Sequence, residues 1–269
     1  MSTPDGVGET PIYDALSDAL RTNAPVALVT VTVGPRIGAK LLVRPDGPAL
    51  GTLGDPDLDR VVARDALGEL ESGITLTRHY GAHGEARERD VEVFIESFAP
   101  PPRMVIFGAV DFTASLVRAA KLLGYHVTVC DAREVFVTRL RFPMADELVC
   151  DWPDRHLATV GELLGPRDAV CVLTHDTKFD VPAIVGALAT RVGYLGAMGS
   201  RRTHAKRVER LREAGVDDAG LARVMAPIGL DIGARTPDET AISICAEIIA
   251  RRTGRKAPSL RDGDGPIHP

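Results

Sequence analysis

The sequence predicts an α/β protein: a small α+β domain over residues 1–99, a Rossmann-like, doubly wound parallel sheet over 100–255, and a mobile tail over 256–269. Three observations carry that expectation. Pro100, Pro101 and Pro102 can neither continue a helix nor donate to a sheet ladder, so they read as a stiff linker between regions of different pattern. Beyond them, short apolar runs alternate with stretches of helical periodicity, as in a strand–helix–strand fold. Those runs are apolar almost throughout, as strands are when helices cover both faces of a parallel sheet.

In the first region, "PVALVTVTV" and "AKLLVRP" are β-branched and apolar, separated by Gly34, Pro35 and Gly38. "PDG" at residues 45–47 is a turn signal. "DPDLDRVVARDALGEL" has helical spacing and acidic residues in its first turn. "GITLTRHY" and "DVEVFIESF" are further strands, joined by the polar loop "GAHGEARER". In the second region the expected strands are "RMVIFGA", "YHVTVCD", "DELVC", "DAVCVLT" and "RVGYLGA". The expected helices are "DFTASLVRAAKLLG", "DRHLATVGELLG", "KFDVPAIVGALAT" and "SRRTHAKRVERLREAG". The last helix, "TPDETAISICAEIIARR", is marked by Thr236 as N-cap, Pro237 at the first helical position and Glu239 completing a capping box. The remaining "TGRKAPSLRDGDGPIHP" has no apolar periodicity.

Composition excludes several classes. The 269 residues are 45% hydrophobic and 26% charged, an ordinary globular mix. No apolar run approaches the ~20 residues that span a bilayer. "MSTPDGVGET" has neither a basic segment nor an apolar core, so no secretory signal is expected there. A net charge of −5 argues against nucleic acid as a partner. The cysteines, Cys130, Cys150, Cys171 and Cys245, are widely spaced and form no C-x-x-C or Cys/His cluster, so no metal site is expected. Reduced thiols in a cytoplasmic protein are the expectation.

Ligands of doubly wound sheets bind outside the carboxyl ends of the strands, where strand order reverses. The loops at 108–113, 131–133, 174–178 and 196–202 therefore form the candidate site. A dinucleotide fingerprint would run G-x-G-x-x-G; here Gly108 is followed by Val110 and Thr113 at the second and third glycine positions. Val110 puts a branched side chain where a pyrophosphate would approach. Asp111 places a negative charge at a helix N-terminus. Both oppose NAD(P), although Asp111 equally suits an N-cap. Asp131 stands 23 residues after Gly108, near the spacing of the acid that holds a ribose, or it caps a local turn. Arg133 can bind a phosphate or pair with Asp131. In "LTHDTKFD", His175 and Asp176 have the chemistry for proton transfer and Lys178 for holding an anion; the same stretch can also cap a helix through Asp176 or Thr177. "LGAMGSRRTHAKR" is the strongest anion signal. Gly199 opens the loop, Ser200 can cap, and Arg201 and Arg202 fall in the first helical turn, where cations oppose the helix dipole unless an anion binds; the alternative, a solvated basic face continuing through Lys206 and Arg207, explains the later charges but not these two. In "PIGLDIGARTPDE", Gly229 and Gly233 flank Asp231, as in tight turns or a close backbone approach to a ligand.

Taken together, "PPPRMVIFGAVDF", "LGYHVTVCDAR", "YLGAMGSRRTHAKRVERLREAG" and "PIGLDIGARTPDETAISICAEIIA" resemble the XdhC/CoxI family of molybdoenzyme accessory proteins, and "AKLLVRPDGPALGTLG" resembles its N-terminal domain. The resemblance implies a carrier rather than a catalyst. It would bind molybdenum cofactor, as molybdopterin or its dinucleotide form, transiently, and help its sulfuration. It would deliver the cofactor to the apoenzyme of a xanthine dehydrogenase or CO dehydrogenase-type molybdenum hydroxylase, with a cysteine desulfurase as a further partner. Gly199, Ser200, Arg201 and Arg202 match the family's Gly-Ser-Arg-Arg/Lys segment, and Asp231, Gly233 and Thr236 its Gly-Leu-Asp-Ile-Gly-Ala segment. Two departures stand out: Gly-Ala-Val-Asp replaces the Gly-Ala-Gly-His of many members, and "DPDLD" replaces a Gly-rich loop with a cysteine. The alternatives are an NAD(P)-dependent oxidoreductase using Asp131 and His175, or a nucleotide-binding or structural partner without catalysis. A homodimer is expected, since such assemblies are the commonest among soluble oligomers.

Overall fold

A computed structural model describes residues 10–174 and 176–262. The chain divides into two compact units, Met1–Pro100 and Pro101–Pro269.

The first unit runs α1 (Thr10–Thr22), β1 (Val26–Val33), β2 (Lys40–Val43), β3 (Leu50–Gly51), α2 (Pro56–Ser72), β4 (Leu76–Tyr80) and β5 (Val91–Phe98). Its sheet has the order β3-β2-β1-β5-β4, with every neighbouring pair antiparallel. Because side chains alternate across a strand, successive residues of β1 serve different layers. Ala27, Val29 and Val31 pack with Leu58, Val62, Ala66 and Leu70 of α2. Val26 and Leu28 pack with Ile12, Leu16 and Ala19 of α1. Asp55 starts α2 by accepting bonds from the amides of Asp57 and Leu58, both at 3.0 Å, with Pro56 at the first helical position. The helix α1 was not anticipated, although Ile12, Ala15, Leu16 and Ala19 hold the i, i+3, i+4, i+7 stripe of an amphipathic helix.

The second unit runs β6 (Arg103–Phe107), α3 (Asp111–Leu122), β7 (His126–Cys130), β8 (Glu147–Val149), α4 (Pro153–Val160), β9 (Ala169–Val172), α5 (Thr177–Leu188), β10 (Tyr194–Ala197), α6 (Arg201–Glu213), α7 (Asp218–Ala222), β11 (Val224–Met225) and α8 (Pro237–Arg252). All six strands are parallel, in the order β11-β10-β9-β6-β7-β8. Numbered within the unit, this is the 3-2-1-4-5-6 order of a doubly wound dinucleotide-type sheet, with its switch point between β6 and β9. Both faces are covered, as the uninterrupted apolar strands require. Met104 and Ile106 of β6 face a core shared with α3 and α8. Val105 and Phe107 face the opposite core, with Leu157 of α4, Ile184 of α5 and Leu211 of α6.

The expected α-helix over 154–165 ends as α4 at Val160 and continues only as a 3-10 turn over Gly161–Leu163. The elements α7 and β11, five and two residues long, are too short to leave a periodic signal and were not expected. Of the tail, residues up to Asp262 are described, ending in a 3-10 turn at Leu260–Asp262; 263–269 lie outside the described residues. Among the described residues no helix is long and apolar enough to cross a membrane.

Candidate functional site

The loop after β6 is built around Gly108, whose φ is +111°. A β-carbon there would lie 2.8 Å from Thr174 Cγ2 and 3.0 Å from the Thr174 amide nitrogen. The first glycine thus serves the close passage of two strand ends. Thr113, fully buried in the third glycine position, takes over the loop's internal bonding: its hydroxyl donates to the Gly108 carbonyl and accepts from the Val110 amide at 3.3 Å. Two expectations are corrected. Asp111 is not the N-cap; that position falls to Val110, and Asp111 is the first residue of α3, its side chain 94% exposed and 3.4 Å from Arg141 Nη2. Val110 does not stand free over the loop, since it is half-buried and packs against the core of the α3 and α8 face.

Asp131, at the end of β7, is buried and already fully engaged. It accepts from the Ala109 amide (2.8 Å) and from Arg133 through its amide (3.0 Å), Nε (2.9 Å) and Nη2 (2.8 Å). Burial alone would raise its pKa. The Arg133 guanidinium and the two amides outweigh that and hold the carboxyl below its ordinary value. Of the two roles open to Arg133, the structure shows the pairing, with the guanidinium also over the Phe136 ring at 4.6 Å. Asp131 is therefore not a free acceptor for ribose hydroxyls.

After β9 the polar group divides. Asp176 is the N-cap of α5, accepting from the Lys178 amide at 3.1 Å, and Lys178 Nζ lies 3.3 Å from the same carboxylate. The Lys178 amide, and after it the Lys178 ammonium, hold the Asp176 carboxyl below its ordinary pKa. The capping alternative holds for Asp176; His175 lies outside the described residues. Thr174 donates to Asp180, whose other oxygen accepts from Arg207 Nη2 at 2.8 Å, and the same nitrogen reaches the Met198 carbonyl at 2.8 Å. This buried chain ties the ends of β9 and β10 to α5 and α6. Asp180 was not singled out from sequence, and Arg207 is corrected: it is not part of a solvated basic face with Lys206 but is buried on Asp180. The available signal was a carboxylate just before the apolar run Val181–Leu188 of α5, which needs a partner when buried.

At α6 the expected N-terminus is present. Gly199 has φ +143°, and Ser200 caps the helix by accepting from the Thr203 amide at 3.1 Å. Arg201 and Arg202 are exposed in the first turn, which contains no acid, and neither has a carboxylate partner among the described residues. The loop of Asp231 and Gly233 (φ +75°) follows β11 and is held on α8, where Ser243 Oγ donates to the Leu230 carbonyl at 2.6 Å and Glu247 accepts from the Gly229 amide at 2.9 Å. Asp231 itself is exposed and makes no hydrogen bond or ion pair with the other candidate residues among those described. Sequence reasoning also missed Arg141, which donates to the Ala109 carbonyl at 2.8 Å and so supports the first loop from outside.

The residues fit an anionic group better than a metal. The helices α3, α5 and α6 all start at the carboxyl edge of adjacent strands β6, β9 and β10. The first two carry carboxylates there, Asp111 in the first turn of α3 and Asp176 at the cap of α5; α6 has Ser200 as cap and two guanidinium groups in a first turn without an acid. Among the described residues no group of three or more His, Cys, Asp or Glu converges as metal ligands would. Of the thiols, Cys130, Cys171 and Cys245 are buried and Cys150 is exposed. Burial pushes Cys130 up to about 12 and Cys245 up to about 11, so both stay protonated at neutral pH.

Strand order and rim together define a Rossmann-type domain with a basic helix terminus at the carboxyl edge of its sheet. The chain belongs to the XdhC and CoxI family: residues 104–248 match the XdhC Rossmann domain and residues 19–81 match the XdhC and CoxI family domain. It is 31% identical over 241 residues to the uncharacterized protein YqeB of Escherichia coli K12, covering 84% of this chain and 43% of that one. It is 33% identical to a probable xanthine dehydrogenase subunit of Bacillus subtilis 168 (61% and 47% covered). It is 34% identical to the molybdenum cofactor insertion chaperone PaoD of E. coli K12 (62% and 45%). The chain spans less than half the length of each of these relatives. A crystal structure described as a xanthine dehydrogenase from Bacillus halodurans shares the fold, with a TM-score of 0.53 at 22% identity over 91% of this chain and 97% of the other.

Proposed function

We propose that this chain is a molybdenum cofactor accessory factor, holding the cofactor as cargo during the maturation of a molybdenum hydroxylase. The observation that carries the reading is the contrast among the N-termini of α3, α5 and α6 at the rim. Anions are stabilised by the free amides and dipole of a helix start, and only α6 couples these to exposed cations without a competing carboxylate. The cargo's terminal phosphate or diphosphate matches that arrangement. Ser200, Arg201 and Arg202 hold it, and Gly199 lets the backbone approach. Gly108, Asp131 and Arg133 keep the neighbouring loop in place, with Lys178 beside it. Asp111, Asp231, Gly233 and His175 join the reading only through the family segments and the rim. The chain itself is assigned no catalytic residue.

The name of PaoD, and that of the Bacillus subtilis relative, support the apoenzyme of a molybdenum hydroxylase as partner. A cysteine desulfurase as second partner, transient binding, a cytoplasmic setting and a homodimer complete the proposal. The oxidoreductase alternative is favoured by the strand order but opposed by the engaged carboxylate of Asp131. The test is purification from a molybdenum-replete host, followed by molybdenum analysis and oxidation of bound pterin to its fluorescent form. Pterin and molybdenum co-eluting with the protein are expected. Their absence, with an apo-hydroxylase left unactivated by added protein and cofactor, overturns the reading.

A further inference from the structure

The first unit contains a cavity of about 520 Å³ between α1 and the adjacent face of its sheet. Its apolar wall comes from Ile12 and Leu16 of α1 and Leu28 of β1, with the exposed ring of Tyr13 at the side. Its polar part consists of Arg36, Lys40 and Thr52; among the described residues no Asp or Glu lines it, and the Thr52 hydroxyl donates to Asp59 at 2.7 Å. Among the described residues neither cation has a carboxylate partner, and Lys40 Nζ reaches only the Thr30 hydroxyl at 3.3 Å. The stem of Arg36 lies directly over Gly54, in the space a β-carbon would need. Gly51, with φ +92°, plays a similar part: a β-carbon there would collide with the Lys40 carbonyl and come 2.7 Å from Ile12 Cδ1. Lys40, Gly51 and Gly54 all belong to "AKLLVRPDGPALGTLG", the segment for which the rim of the second unit gives no role.

A concave apolar surface with a few polar groups on one side is the usual make-up of a small-molecule site. Two cations without acids select the charge of what enters. We propose that this cavity is a second binding site, specific to the first unit, for a small amphipathic anion: a flat apolar body seated on Ile12, Leu16 and Leu28, with its phosphate or carboxylate held by Arg36 and Lys40. It is built from residues of the first unit alone and stands whether or not the α6 terminus holds a cofactor.

The test titrates the full chain with 2-naphthyl phosphate, 2-naphthoate, 2-naphthol and inorganic phosphate, following the methyl signals of Ile12, Leu16 and Leu28 by NMR. Either naphthyl anion should shift those methyls and bind at least about tenfold more tightly than 2-naphthol or inorganic phosphate alone. The tighter of the two anions identifies the head group. Arg36→Ala with Lys40→Ala should remove that tenfold preference and leave 2-naphthol unchanged; both residues are outside the core, and a thermal melt checks the fold. The Arg201→Ala, Arg202→Ala variant should keep the methyl shifts. Unmoved methyls, undiminished anion binding in the folded Arg36/Lys40 variant, or binding lost only with Arg201 and Arg202 would each overturn the proposal.

Discussion

Asp180 of α5 and Arg207 of α6 form an ion pair at 2.8 Å with both side chains 1% exposed. Each is also held by a strand end, Asp180 by the Thr174 hydroxyl and Arg207 by the Met198 carbonyl. Two guanidinium nitrogens of Arg207, Nε and Nη1, are buried without a partner among the described residues. Removing one member of a buried pair strands the other charge, which costs about 3–5 kcal/mol. Arg207→Met or Asp180→Leu alone should lower unfolding stability by about that amount in urea titrations. The double variant should recover much of the loss, because apolar replacement of both partners is often close to neutral. Additive losses would show that the two side chains act independently.

The α6 terminus gives the second prediction. Arg201→Ala with Arg202→Ala should weaken binding of a pterin carrying a terminal phosphate by at least about tenfold, the effect of losing charge-assisted contacts. Stability should change little, since both side chains are exposed. Unchanged affinity in the folded variant removes the terminus from the site.

For NAD(H), no binding in the micromolar range is expected by calorimetric titration. Asp131 would have to give up the Ala109 amide or Arg133 to take a ribose hydroxyl, and Asp111 repels a phosphate at the start of α3. A micromolar dissociation constant would restore the oxidoreductase reading.

Asp131 also predicts a pH dependence. Its folded-state pKa lies below the ordinary carboxylate value, so on acidification the unfolded chain takes up this proton first. The stabilisation is complete above about pH 4 to 5 and is lost as pH falls through the carboxylate range toward the lower folded value. Asp131→Asn should therefore be most damaging at neutral pH, with the gap to the unmodified protein narrowing as the solution is acidified below about pH 4. A gap that widens in acid reverses the assignment.

A homodimer is the assembly expected. Light scattering should report about twice the 28.7 kDa chain mass. A mass that stays at 28.7 kDa across about a hundredfold range of concentration, over which a dimer of ordinary affinity would form, rejects it.

The parallel sheet was legible because buried strands such as "RMVIF" and "AVCVL" are apolar on both sides, and Thr236, Pro237 and Glu239 marked the start of α8 without ambiguity. Strand order was not, because register depends on crossovers rather than on local composition. In the site, the Ser200 cap and the exposed Arg201 and Arg202 followed from position alone. The pairing of Asp131 with Arg133 was one of the two roles open from sequence, but its bond from the Ala109 amide was not visible, because that partner is 22 residues away in sequence. Arg207 was hidden for the opposite reason: in a helix so rich in Arg and Lys, nothing local separates the one buried cation from its solvated neighbours.

The loop after β6 has a kinetic consequence. Its amides at Ala109 and Val110 are already bonded within the protein, to Asp131 and Thr113, and Arg141 supports the Ala109 carbonyl. A loop that relied on a bound phosphate for these bonds would exchange its amide protons quickly when empty and slowly when loaded. Here the Ala109 amide should resist deuterium in both conditions, so this turn has no ordering entropy left to lose when cargo arrives. Loading and release should then register in exchange rates at the first turn of α6, and the first loop should remain silent throughout.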